Sequence, residues 1–189
     1  EWKRDKWNKA EKMFLRYCEK CLVTCSDTVI CDSKNIEKYI LETYPCMKGK
    51  TTYIAYGAEV YDSSCSEREF DEWCKEHDVK PMQYYLIVGR FVPENNYETM
   101  LREYTQCKSK KDLVIVTNFT HGKFSEELNK HTNFADDSRI KFVGTVYDQT
   151  LLRNIRQFAY GYIHGHEVGG TNPSLLEALG CTQVNLLLD

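Results

Sequence analysis

Short apolar segments alternate with amphipathic segments from residue 80 onward. The apolar segments are typical of strands buried on both faces, and the intervening segments have helical spacing. This alternation indicates βαβ units and predicts a doubly wound, Rossmann-like α/β domain with a parallel sheet. The predicted strands are residues 84–88, 113–117, 140–144, 160–164 and 184–188, and the predicted helices are residues 97–107, 125–131, 149–158 and 173–179.

The first 60 residues predict a shorter βαβ arrangement. Helices are expected at 9–25 and 35–44, and strands at 28–31 and 51–56. Two strands cannot enclose a core, so we expect residues 1–60 to be the last βαβ repeat of a preceding Rossmann-like domain. Residues 61–80, rich in Ser, Asp, Glu and Lys, are predicted to connect it to a second domain at 81–189. The missing initial Met and the apolar last residues suggest a fragment of a longer protein, truncated at its C-terminus.

Charge and composition exclude several classes of protein. The 25 basic and 28 acidic residues give a net charge of −3, which disfavours nucleic-acid binding. No apolar run approaches the roughly 18 residues of a membrane span, and no signal peptide is recognisable, so we expect a soluble cytoplasmic protein. Among nine cysteines, Cys18, Cys21 and Cys25 have the spacing of a buried helix face rather than of a zinc module. Reduced thiols and no metal site are therefore predicted.

A crevice is predicted where the strand order of the second domain reverses. In the usual Rossmann order the first and fourth strands are neighbours, so the loops at 89–96 and 165–173 face each other. Arg90 can donate forked hydrogen bonds to a phosphate, and Gly169 and Gly170 allow close approach of backbone N–H groups. Thr171 or Asn172 can cap the helix that follows. These features suit a diphosphate.

The start of that helix allows two interpretations. Glu177 lies one turn after Ser174, so both side chains can face the crevice, where a carboxylate can accept hydrogen bonds from ribose hydroxyls. Ser174 and Glu177 are also spaced as a capping box. His164 and His166 lie at a strand end without an evident catalytic partner in the sequence, which favours hydrogen-bonding or structural roles. Hydrolase, Walker-type and zinc-protease motifs are absent.

Two segments carry a resemblance to a known family. Residues 84–96, YYLIVGRFVPENN, and 171–178, TNPSLLEA, resemble the retaining two-Rossmann (GT-B fold) glycosyltransferases of the group 1, or family 4, type. More narrowly, VGRFVPENN, HGH and GGTNPS are similar to bacterial polysaccharide rhamnosyltransferases. Residues 32–34 and 53–58 are similar to the end of that subgroup's acceptor domain. The second domain would then be the donor-binding domain.

The resemblance implies a site and a reaction. Arg90 would stabilise the leaving diphosphate as the catalytic residue, and Glu177 would bind ribose. Asn95 stands where the family has Lys, and Gly169 stands where it has the first Glu of a paired-Glu motif. The enzyme would transfer a sugar, expected to be L-rhamnose, from dTDP-rhamnose or another nucleotide sugar with retention at the sugar carbon. The acceptor would be a glycan or a lipid-linked acceptor of a cell-surface polysaccharide. No cofactor or metal is expected. The expected donor-binding residues are Gly89, Arg90, Asn95, Gly169, Gly170, Thr171, Asn172, Ser174 and Glu177, with His166 and Glu167 as further candidates.

Some alternatives stay open at this point. A non-catalytic nucleotide-binding module, or a sugar-nucleotide epimerase of the same fold, would keep the fold but not transfer sugar to an acceptor. The first helix is mildly basic and follows Trp2 and Trp7, which allows either a solvated face or contact with anionic lipid at the inner membrane face. The fragment alone is expected to be inactive, and its two-stranded edge could support dimerisation.

Overall fold

Two compact units make up the described part of the protein. The computed structural model describes residues 2, 7–60, 68–166, 171–182 and 184–187. The first unit is built from the chain up to Gly57 and the second from Ala58 onward, except that residues 171–173 group with the first. None of the described helices has both the length and the apolar character needed to cross a membrane.

The first unit is a βαβ arrangement, as predicted. Helix α1 (Lys9–Thr24) precedes strand β1 (Val29–Cys31), helix α2 (Lys34–Thr43) and strand β2 (Thr51–Tyr53). The two strands pair in parallel. Side-chain caps begin both helices: Asn8 forms a capping box with Glu11, and Ser33 accepts from the backbone of α2. The core is small and consists of Val23, Cys31, Ile40 and Met47.

A single carboxylate links α1 to α2. Glu19 accepts hydrogen bonds from the hydroxyl of Tyr39 at 2.6 Å, from the hydroxyl of Tyr44 at 3.0 Å and from the indole of Trp2 at 3.1 Å. Burial, followed by the bond to Glu19, raises the pKa of Tyr44 to about 12. Polar bonds therefore supplement the small apolar core of this unit.

The predicted buried cysteine face on α1 is wrong. Cys18 and Cys21 are only partly buried and Cys25 is exposed. The helix buries Val23 instead, while Phe14 and Leu22 are exposed. Helical spacing predicted one face for the three cysteines, but it does not determine whether other parts of the protein cover that face.

The second unit is a five-stranded parallel sheet flanked by helices. The strands are β3 (Tyr84–Val88), β4 (Asp112–Val116), β5 (Ile140–Phe142), β6 (Gly161–His164) and β7 (Asn185–Leu187), in the order β5-β4-β3-β6-β7. The connecting helices are α4 (Tyr97–Gln106), α5 (Lys123–Thr132), α6 (Gln149–Gln157) and α7 (Pro173–Cys181). This order confirms the doubly wound fold and the pairing of the first strand of the unit with its fourth.

Both faces of the central strands are buried. Leu86 of β3 packs in a cluster with residues of α6 and α7, and its neighbour Ile87 packs in a second cluster with residues of α4 and α5. Val114 and Ile115 of β4 divide between the clusters in the same way. Successive side chains of a strand point to opposite faces, so a continuous apolar run supplies two cores.

An additional core helix lies within the predicted connection at 61–80. Helix α3 (Arg68–Glu76) buries Phe70, Trp73 and Cys74, and Phe70 stacks on Phe158 after α6 with ring centroids 5.1 Å apart. The three buried positions have the i, i+3, i+4 spacing of an amphipathic helix. Residues 68–76 therefore form a packed helix, which the sequence analysis did not predict because the many charged residues obscure a narrow apolar stripe. Residues 61–67 lie outside the described part of the chain.

Strand β7 differs from the predicted buried strand. Its Leu186 and Leu187 are 47% and 56% exposed. The strand occupies one edge of the sheet, where it pairs with β6. An apolar run alone does not distinguish a central strand from an edge strand, which accounts for the difference.

Candidate functional site

The two predicted loops meet at the carboxyl ends of β3 and β6. These strands pair directly, with Tyr85 opposite Gly161. Gly165, just after β6, permits the close approach: a β-carbon there would lie 2.6 Å from the backbone oxygen of Asn95 and 3.0 Å from the sulfur of Met100. The side-chain amide of Asn96 donates to the oxygen of Gly165 at 2.8 Å. The start of the second predicted loop, at Gly165, is thus in direct contact with the first loop.

Arg90 stands at the end of β3 on a loop anchored from both sides. Arg90 is an exposed residue. The next residue, Phe91, is buried in an aromatic cluster with Tyr97 and Phe124, and the hydroxyl of Tyr97 donates to the oxygen of Gly89 at 3.2 Å. Because the backbone on both sides of Arg90 is held, its cation is available to a ligand without the loop having to order first.

The side chain of Asn95 bridges the two loops. Its Nδ2 donates to the backbone oxygen of Arg90 at 2.7 Å, and its Oδ1 lies 2.7 Å from Nδ1 of His166. The ring of His164 lies 6.1 Å from that of His166. Burial, followed by the charge of His166, lowers the pKa of His164, which favours its neutral form. Of the two histidines, His166 bonds to the Arg90 loop, through the side chain of Asn95.

Helix α7 contributes the partner of a buried arginine, an ion pair that the sequence analysis missed. Oε2 of Glu177 lies 2.6 Å from Nη2 of Arg156, whose side chain is only 5% exposed. Ser174 Oγ lies 3.3 Å from the same guanidinium and 3.2 Å from the hydroxyl of Tyr162. The signal was present in the sequence, because Arg156 follows Leu152 and Ile155 on the apolar face of α6, where a charge needs a partner.

Several predicted residues cannot be placed with these groups. Glu167, Gly169 and Gly170 lie outside the described residues, as does Val168. Thr171 and Asn172 are half-buried just before α7. The glycine cradle for a phosphate and the capping of α7 therefore stay predictions, whereas Arg90, Gly89, Asn95 and His166 are brought together.

A pocket beside Arg90 was not predicted. It has a volume of about 340 Å³ and lies at the carboxyl ends of β3, β4 and β5. Its walls include apolar side chains and polar groups, and Tyr147 at its rim is 85% exposed. No motif distinguishes the residues after β5, so only their position after a strand could have indicated them. The lining residues are Val88, Gly89, Arg90, Val116, Thr117, Asn118, Thr145, Val146 and Tyr147. Within the described ranges, no cluster of His, Cys, Asp and Glu could hold a metal ion.

Comparisons with known proteins identify the fold. A glycosyltransferase from Rickettsia africae is similar over 93% of this chain and 47% of its own, with a TM-score of 0.71 and 15% identity. HepE of Anabaena, crystallised with UDP and glucose, matches with a TM-score of 0.72 and 16% identity over 95% of this chain and 48% of its own. The fold is that of a GT-B glycosyltransferase domain.

Further comparisons agree with this fold. Sucrose-phosphate synthase of Thermosynechococcus elongatus has a TM-score of 0.70 and 18% identity over 97% of this chain and 50% of its own. The chain thus spans about half the length of these solved structures. Residues 1–59 match a family described as a domain of unknown function, DUF1972. No curated protein matches the chain.

Proposed function

We propose that the second unit binds the diphosphate of a nucleotide sugar, as the donor-binding part of a glycosyltransferase. The observation that carries this proposal is the position of Arg90. Its exposed guanidinium stands on an anchored loop at the switch point, beside a pocket of about 340 Å³. In open α/β sheets ligands bind at this position. The fold is shared with HepE, which was crystallised with UDP-glucose.

The lining of the pocket suits a nucleoside next to the diphosphate. Val88, Val116 and Val146 provide apolar surface for a base, and the exposed ring of Tyr147 can stack on it. Asn118 and hydroxyl groups of the lining can bond to the polar edges of the base. Arg90 then meets the phosphates with forked, charge-assisted hydrogen bonds.

The proposed chemistry depends on stabilising the leaving group. As the bond between sugar and diphosphate breaks, negative charge develops on the phosphate oxygen, and a preorganised cation stabilises it without reorganisation. Arg90 supplies that cation. Glu177 pairs with Arg156, yet its side chain is 41% exposed, so its carboxylate can still accept hydrogen bonds from hydroxyls of the nucleotide's pentose. Transfer with retention, and an acceptor bound mainly outside the second unit, belong to the same proposal.

The identity of the sugar is a narrower proposal. We place dTDP-L-rhamnose first because of the resemblance at residues 88–96, 164–166 and 169–174. A deoxysugar needs an apolar wall in place of a hydroxyl partner, and Val92 in the Arg90 loop is half-buried and available for that role. A polysaccharide acceptor, action at the cytoplasmic membrane face and dimerisation of this chain rest on the sequence arguments alone.

Ligand-induced stabilisation tests the donor proposal. Thermal unfolding of the 189-residue chain is measured with dTDP-rhamnose, UDP-glucose, GDP-mannose and dTDP. A ligand at 100 times its Kd stabilises by about 2.7 kcal/mol, or roughly 5–10 °C for a chain of this size. Arg90→Ala should lower affinity on the order of 10- to 100-fold without changing unliganded stability. Arg102→Ala, which removes a half-exposed arginine of α4, is the matched control.

The outcomes separate the proposals. Equal shifts for wild type and Arg90→Ala would place the donor elsewhere. Tighter binding of UDP-glucose or GDP-mannose than of dTDP-rhamnose would refute the rhamnosyl assignment and leave the glycosyltransferase proposal standing. In the full-length protein, binding without transfer to any acceptor would favour a nucleotide-binding module or an epimerase. If transfer occurs, Arg90→Ala should lower turnover there by on the order of 100-fold.

A further inference from the structure

The amide orientation of Asn95 is determined by its neighbours. The backbone oxygen of Arg90 lies 2.7 Å from Nδ2 of Asn95 and can only accept a hydrogen bond. The amide group must therefore present its NH₂ to this oxygen. The flipped amide would place two acceptors against each other at hydrogen-bond distance, so the assignment follows from the partner rather than from the amide itself.

This orientation determines which nitrogen of His166 carries the proton. Oδ1 of Asn95 faces Nδ1 of His166 at 2.7 Å and can only accept. Nδ1 must then be the donor. In its neutral form the ring has a single N–H, so Nε2 then carries the lone pair and can accept a hydrogen bond.

The free nitrogen of His166 lies in the crevice loop. His166 directly follows Gly165, where the two loops touch, and its side chain is half-buried. Within the described part of the protein no donor meets Nε2. The ring of His164 lies 6.1 Å away between centroids, and no hydrogen bond joins these two described side chains. Among the described residues, Nε2 is thus left as an acceptor beside the contact between the two loops.

We infer that Asn95 sets the tautomer of His166 so that Nε2 accepts a hydrogen bond from a hydroxyl of the bound donor. The ligand part of this inference rests on the proposed function, whereas the tautomer does not. A neutral Nε2 without hydrogen repels phosphate oxygens and attracts hydroxyl groups. Arg90 and His166 therefore have separate tasks, the first toward the diphosphate and the second toward a sugar or ribose hydroxyl, and Asn95 bonds to both.

NMR tests the tautomer without ligand. Long-range ¹H–¹⁵N correlation spectra of the ¹⁵N-histidine-labelled chain report which ring nitrogen is protonated, and the signal lost in His166→Gln assigns the residue. We expect Nδ1–H for His166 in the wild type. Asn95→Leu should shift the signal toward the Nε2–H form, while the exposed His121 stays unchanged. An Nε2–H signal in the wild type would overturn the assignment.

Binding of dTDP-rhamnose and dTDP tests the ligand part. His166→Gln keeps an acceptor and should retain affinity within about 3-fold, whereas His166→Leu should lose about 10-fold. A loss for both ligands locates the hydroxyl on the deoxyribose, and a loss for dTDP-rhamnose alone locates it on the rhamnose. Unchanged affinity in His166→Leu would overturn the ligand role. If the wild type binds neither ligand, the proposed function and the ligand role fail together, and NMR alone decides the tautomer.

Discussion

Removing the charge of Glu177 should destabilise the second unit more than removing the charge of its partner. Arg156 is 5% exposed and Glu177 is 41% exposed, with 2.6 Å between their charged atoms. Nε of Arg156 is buried, and no hydrogen-bond partner meets it among the described residues. Loss of Glu177 thus leaves a buried cation poorly satisfied, whereas loss of Arg156 leaves a carboxylate that water can reach.

The magnitude follows from this asymmetry. Breaking a fully buried pair from one side costs about 3–5 kcal/mol, and the exposure of Glu177 lowers that figure. We expect Glu177→Gln to cost about 2 kcal/mol, since the amide can still accept one hydrogen bond. Arg156→Met, which keeps the side-chain volume, should cost about 1 kcal/mol or less. Adding Arg156→Met to Glu177→Gln should therefore restore about 1 kcal/mol.

Urea unfolding of the wild type, the two single variants and the double variant measures these free energies. Trp73 reports on the second unit in a background with Trp2→Phe and Trp7→Phe, and changes in midpoint at constant m give the free energies. Glu72→Gln is the control, because its pair with Arg68 is exposed and should contribute under about 0.5 kcal/mol. Additivity of the two substitutions within about 0.3 kcal/mol would refute the coupling. Nucleotide affinity that falls in Glu177→Gln but not in Arg156→Met would separately assign Glu177 to ribose.

Three other predictions follow from burial and close approach. Gly165→Ala should lower the free energy of unfolding in urea by about 2 kcal/mol or more, because its β-carbon would lie 2.6 Å from the backbone oxygen of the facing loop. The control is Gly122→Ala, which has open space around it and should cost under about 0.5 kcal/mol. Phe70→Ala should lower the stability measured by thermal unfolding by about 3–5 kcal/mol, whereas Phe14→Ala, at an exposed position, should change it hardly at all. Equal effects of the two substitutions would contradict a core role for α3. Burial raises the pKa of Tyr97 to about 12, so the native state keeps a proton that the unfolded chain loses near pH 10. Stability should then fall as pH rises above 10, by about 1.4 kcal/mol per unit from this group, and Tyr97→Phe should remove that slope in urea titrations at pH 9 to 11.

Most of the second unit could be predicted because burial leaves a strong periodic signal. The apolar runs of β3 and β4 are covered on both faces, and the helices between them carry regular apolar stripes. Helix α3 was missed because only Phe70, Trp73 and Cys74 mark its buried side in a charged segment. The exposure of β7 depends on its position in the sheet, and the local sequence pattern carries no information about that position.

The contact between the two loops was predictable from the sequence, but the bonds between their side chains were not. Strand order places the loop of Arg90 beside the loop of His166, and this order follows from general rules of α/β folds. The bond between Asn95 and His166, and the pair of Arg156 with Glu177, join residues from different elements. Whether such side chains bond depends on their positions in the folded protein to within tenths of an ångström. No spacing along the chain encodes these positions.

The strand order that creates the crevice also determines when the sheet can be completed during synthesis. Strands β3, β4 and β5 emerge from the ribosome in the order in which they pair, but the other edge of β3 pairs with β6. Gly161 follows Tyr85 by roughly 75 residues, which at about 5–20 residues per second is on the order of 4–15 s of translation. During that interval a buried central strand is an open edge, and nascent chains are most exposed to mispairing there.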